Sequence, residues 1–197
     1  MEQIPDVGLL MFLVDDDIVY RPVELGPTLS TLKRRHLFVS LRASMQHSDA
    51  YPAPSFRNPT RTEVLEWKWN FCKKRMIPWN YPFSLDGNIF RAGVIKRITR
   101  SIRFAAPNSY EGAMHRYRHR WWVKRIPYAL APAEPVVFNN PLNKVQTEGE
   151  TWHRNIEPMD LNRLFLDGMR IDNRKIYECS PDNVHFAVTP TFVKQDR

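Results

Sequence analysis

At 197 residues, with 43% hydrophobic and 25% charged residues, the chain is long enough to bury the core of one domain and has the balance of an ordinary globular protein. Seven glycines, with no GxGxxG and no GxxxxGK[ST], exclude the two common glycine-rich phosphate loops, and Cys72 and Cys179 are too few and too far apart for a thiolate metal site. A formal net charge of +8 favours anionic partners: nucleic acid, an anionic membrane surface or phosphorylated small molecules.

The first element is Leu9 to Val14, six consecutive apolar residues followed by Asp15-Asp16-Asp17 and then Ile18-Val19-Tyr20. Such a run predicts a strand buried on both faces of a parallel or mixed sheet. Adjacent carboxylates at its end repel one another unless a cation or a set of donors holds them. Ligands of open α/β sheets sit just beyond the carboxyl ends of strands. The Asp15-x-Asp17 spacing therefore suits Mg²⁺ or Mn²⁺ shared with a phosphate or diphosphate. A solvated acidic turn is the plain alternative.

Glu24 to Leu32 reads as a loop and a short helix, and His36 to Arg42 as a strand rich in β-branched and aromatic residues. Ala43 to Pro59 is a polar, proline-bearing loop. Thr60 and Glu63 fit a capping box opening a helix from about Thr62 to Lys74, with Val64, Trp67 and Phe71 on one face. Phe83 to Arg91 turns at Asp86-Gly87 and predicts a strand-turn-strand passage. Helical spacing recurs from Gly93 to Ile102, and Asn108 with Glu111 reads as a cap for a helix through His119. Val136 to Phe138 predicts a short strand, Asn139 to His153 an irregular segment, Asp160 to Leu166 a helix stopped by Gly168, and His185 to Thr189 a weak strand.

Asp86 lies in an apolar frame of Phe83, Leu85, Ile89 and Phe90, where a partly desolvated carboxylate suits a general base; an Asp-Gly turn that only shapes the chain is the alternative. His153 suits a metal shell or a phosphate contact, and Asn143 and Gln146 suit hydroxyl contacts; each also has an ordinary structural reading. Trp67, Trp69, Trp79 and Tyr81 serve either as core or as a stacking surface for a sugar ring. His115 to Arg125 interleaves basic and aromatic residues, which fits nucleic acid, an anionic membrane surface or a solvated helix face.

Five passages taken together resemble a family of bacterial glycosyltransferases with a GT-A-like core. They are Phe12 to Ile18, Phe38 to Arg42, Tyr81 to Arg91, Asn140 to Gln146 and Leu161 to Gly168. The resemblance implies an α/β (or α+β) domain over 1–197, a partial GT-A-like mixed sheet flanked by helices. It implies transfer of a sugar from a nucleotide-sugar donor to a hydroxyl of a glycan or lipid-linked acceptor, in cell-surface glycan synthesis. It also implies Mn²⁺ or Mg²⁺ on Asp15 and Asp17, completed by His153. Asp16, Asn143 and Gln146 would face the donor, and Asp86 would be the catalytic base. Peripheral contact with the inner membrane through His115 to Arg125 fits that setting, in an otherwise cytoplasmic protein without a signal peptide or spanning segment. The runner-up is a non-catalytic basic module for nucleic acid or an anionic surface. A GT-A domain places its nucleotide-binding half before the Asp-x-Asp strand, whereas here that strand opens the chain. The expectation is therefore a domain truncated relative to the family. Its sheet edge at Leu9 to Val14 would be exposed, its isolated activity weak, and it would self-associate through that edge.

Overall fold

The computed structural model describes residues 7–45, 54–57, 64–71, 78–142 and 156–195. The first half contains β1 (Leu9–Phe12), β2 (Asp17–Val19), α1 (Leu25–Ser30), β3 (His36–Ser40), β4 (Val64–Lys68) and β5 (Asn88–Arg91). Then come α2 (Ala92–Thr99), α3 (Pro107–Arg116), α4 (Trp121–Lys124), β6 (Tyr128–Pro132) and β7 (Val137–Asn139). The last part holds α5 (Pro158–Leu166), β8 (Met169–Ile171), α6 (Asn173–Tyr177) and β9 (Phe192–Lys194). The mixed α/β content expected from the sequence is what the chain forms. Five strands make one sheet in the order β1-β5-β3-β6-β4, in which only β3 and β6 run parallel. Two antiparallel ribbons, β2-β7 and β8-β9, complete the strands among the described residues.

Side chains alternate across the sheet as the pleat requires. Phe38, Leu65, Trp67, Phe90, Ala129 and Ala131 join one core cluster, which Ile95 and Ile98 of α2, Met114 of α3 and Val123 of α4 cover. Val39, Val64, Ile89 and Leu130 join the other, against Leu25 and Leu29 of α1. Helices therefore shield both faces, and the sheet's interior strands are almost wholly buried, the polar residues His36, Ser40 and Asn88 included.

Two expectations need correction. Within the segment read as a helix from Thr62 to Lys74, the described residues 64–71 form β4 followed by a single 3₁₀ turn at Trp69–Phe71. Period two explains it: Leu65, Trp67 and Trp69 enter one cluster, while Val64 faces the other. Glu66 is buried beside them because His36 Nε2 (3.0 Å) and Arg35 Nε (3.1 Å) both reach its carboxylate. Trp67 and Trp79 have no exposed surface and Trp69 almost none, so all three are core rather than a platform for a sugar. The second correction concerns β1. It is an edge strand rather than one buried on both faces: Leu10 and Phe12 pack on the core while Leu9 and Met11 are each 42% exposed.

Smaller shifts have local causes. α3 begins at Pro107, whose missing N–H costs nothing at a helix start, and Ser109 Oγ rather than Glu111 accepts from the Ala106 N–H at 2.9 Å. Only the β5 side of the Asp86-Gly87 turn is a strand. His185 makes one isolated bridge to Asn139 in place of a strand. Gly168, at φ +81°, ends α5 as expected. Asn143, Gln146, His153 and the capping pair Thr60 and Glu63 lie outside the described residues. No helix among the described residues is long and apolar enough to cross a membrane.

Candidate active site

Beyond the end of β1 the chain turns sharply, with Asp17 N–H donating to Val14 O at 3.0 Å and Val14 N–H returning to Asp17 Oδ2 at 3.1 Å. The β2-β7 ribbon anchors this turn. Asp17 pairs with Asn139, whose Nδ2 donates to Asp17 Oδ1 at 3.4 Å, and Asn140 N–H donates to the Asp16 carbonyl at 2.8 Å. Asp15 faces solvent, whereas Asp16 and Asp17 are half-buried and feel the charge of Asp86.

Asp86 reaches the same place because residue 87 is stitched between two strands: Gly87 N–H donates to Phe12 O and Leu41 N–H to Gly87 O. Gly87 has φ +65°, and a Cβ there would lie 3.2 Å from Val137 and 3.4 Å from Arg42, so only glycine fits both the backbone and the gap. Arg42, 4% exposed, bonds Asp86 Oδ2 at 2.6 Å and Ser84 Oγ at 3.2 Å. Ser84 Oγ also donates to Asp86 Oδ2 at 3.2 Å. One Asp86 oxygen is thus committed to Arg42 and Ser84, and none of these bonds uses the other. The apolar frame inferred for Asp86 is interrupted by a buried guanidinium.

The electrostatics of this end of the sheet are unbalanced. Burial, then the Asp86 charge, pushes the Asp17 carboxyl up to about 7. Burial, Asp15 and Asp86 raise Asp16. Glu111, which accepts from Leu85 N–H at 3.2 Å, is raised by burial and then by Asp86. Arg42 is the cation that opposes these shifts at both Asp17 and Glu111. Tyr81, stacked on His115 with ring centroids 4.1 Å apart, is pushed up to about 12 by burial, Glu111 and Asp86. Burial, with Arg118 and His119, pushes His115 down to about 4. The surrounding protein, then Arg42, lowers His185, whose neutral ring donates from Nδ1 to Asn139 Oδ1 at 3.2 Å. Asp17, Asn139 and His185 therefore form one hydrogen-bonded chain.

The structure brings Asp16, Asp17 and Asp86 together and leaves Asp15 at the solvent edge of the same turn. Sequence reasoning missed Arg42, Ser84, Glu111, Asn139 and His185 as parts of the site. Glu111 carried a signal that was assigned to helix capping, and His185 carried none. Among the described residues no three His, Cys, Asp or Glu side chains come close enough to hold one ion by themselves. Mg²⁺ and Mn²⁺ are commonly held by one or two carboxylates and a substrate's phosphates rather than by a protein cage, which is the donor set expected of Asp15 and Asp17. Comparison with protein-family models, curated proteins and solved structures returned no match.

Proposed function

We propose that the chain is a GT-A-like, metal-dependent glycosyltransferase domain that uses a nucleotide-sugar donor and a hydroxyl acceptor. The observation that supports it most is the meeting of the acidic turn and Asp86 at one end of the sheet, where burial leaves Asp17 only half ionised near neutrality. Excess carboxylate around Arg42 is the setting in which a bound cation relieves repulsion. A divalent cation at Asp15 and Asp17 would neutralise the charge that develops on a departing diphosphate.

In this reading the acceptor hydroxyl gives its proton to the second oxygen of Asp86, Oδ1, and its own oxygen forms the new bond to the anomeric carbon. The bond from that carbon to the diphosphate oxygen breaks, and its electron pair leaves with the nucleoside diphosphate. Arg42 and Ser84 hold the base in place, and Glu111 is a second carboxyl beside it. Tyr81, half-buried with one ring face stacked on His115, is the aromatic of that set left to make the sugar contact that the three buried tryptophans cannot.

The test is calorimetric titration of nucleoside diphosphates in the presence and absence of Mn²⁺. The chain should bind only with metal, and Asp17→Asn, alone or with Asp15→Asn, should abolish the metal-dependent part without unfolding the protein. Identical isotherms for wild type and both variants would remove the metal assignment, and the transferase reading with it.

A further inference from the structure

α3 has two faces with opposite company. Glu111 and His115 turn toward the acidic site, while Ala113 and Arg116 line a separate concavity of about 390 Å³. Arg103, from the segment after α2, and Arg120, before α4, complete its wall, and Ile102, Ala113 and Tyr117 form its apolar floor. No lining residue is acidic, and no carboxylate among the described residues pairs with any of the three arginines. Arg118, one residue from the wall, does not contribute; it bonds His115 and His119 instead. Three guanidiniums around one hollow, with no counter-charge among the described residues, match the planar forked donors that phosphate oxygens accept.

The rim indicates how such a phosphate would be presented. Trp121, next in the chain to Arg120, is 66% exposed, and Phe104, next to Arg103, is 48% exposed. A nucleic-acid surface would need open aromatic faces for bases to stack on and a track of phosphate contacts. Here one face of Trp121 is already covered by Arg125 (4.8 Å) and one face of Trp122 by Arg97 (4.4 Å). The cations converge on a single hollow. Exposed indole and phenyl groups beside such a hollow suit a bilayer interface.

We propose that the Arg103–Arg116–Arg120 pocket receives the phosphate of an anionic lipid headgroup and seats this face on a membrane surface, with Trp121 and Phe104 in the interfacial layer. The proposal does not depend on the transferase reading, and its test needs no donor. Sedimentation with phosphatidylcholine vesicles, with and without phosphatidylglycerol, measures it directly. The chain should bind only the anionic vesicles. Each basic residue near such a leaflet contributes about fivefold, so R103Q/R116Q/R120Q should lower the partition coefficient on the order of a hundredfold. Trp121→Ala should weaken binding further at high salt, where the apolar contribution persists.

A control triple, Arg34→Gln with Lys175→Gln and Lys194→Gln, removes the same charge from exposed positions outside the pocket and should change binding far less. All replaced residues are exposed, so matched thermal melts will show that the folds are retained. Equal losses in the two triples would reduce the effect to bulk charge and overturn the pocket. Saturable binding of inorganic phosphate without vesicle binding would assign the pocket to a soluble phosphate compound, and capture of single-stranded RNA without vesicle binding would assign it to nucleic acid. Either result overturns the lipid proposal.

Discussion

Asp17 is bonded by its own turn and by Asn139, yet burial and Asp86 still carry its carboxyl to about 7. Its protonated form is the one the fold prefers. For an acid raised above its ordinary value of 3.8, the unfolded chain loses the proton first as pH rises. The contribution to stability is therefore complete below about pH 4 and fades through about pH 7. Asp17→Asn should mimic the protonated state, so the variant's thermal midpoint minus that of wild type should grow steadily from pH 4 to pH 8. The difference matters because His115, pushed down to about 4, works in the opposite direction over part of the same range. A flat difference curve would mean that Asp17 is ionised throughout. On the metal-binding proposal, added Mn²⁺ should shrink the difference at high pH, because a bound cation would replace the proton in wild type only.

At the scale of elements, Gly87 sets where Asp86 stands. Alanine there must hold a left-handed backbone with its Cβ 3.2 Å from Val137, at a cost of about 1–3 kcal/mol in urea unfolding. The same change should weaken metal-dependent diphosphate binding, since residue 87 links the ends of β1 and β3 beside the acidic turn. Full stability in Gly87→Ala would show that the turn relaxes freely. The legibility of the elements followed their size and polarity. β3 was clear because every side chain in it is buried, and α2 because its apolar residues recur at helical spacing. β4 was misread because Val64, Trp67 and Phe71 also fit a helical face, and only the opposite core clusters distinguish the two periods. The acidic turn and Asp86 were visible as local patterns. Their partners Arg42, Glu111 and His185 were not, since each reaches the site from a distant segment through tertiary packing alone.

For the whole molecule, a net charge of +8 conceals two fields of opposite sign. Carboxylates gather where β1 ends, and guanidiniums with no carboxylate partner among the described residues gather across α3 around Arg116. The non-sequential strand order β1-β5-β3-β6-β4 could not be read from composition, because it depends on which long-range pairs bury the most surface. The β2-β7 ribbon carries a further consequence, for the order of assembly. Its three pairs include Asp17 with Asn139, whose side-chain bond spans 122 positions, so closing it waits until the intervening chain has been laid down. So short a ribbon, closed by three residue pairs of long sequence separation, should be the last part to form and the first to open. Amide hydrogens of Ile18 and of Asn140, which donates to Asp16 O, should exchange faster than those of Val39 and Phe90, measured by mass spectrometry of peptic fragments. Mn²⁺ with a nucleoside diphosphate should slow the first pair alone, so that occupancy of the acidic turn is recorded as a local stiffening of the segment that closes last.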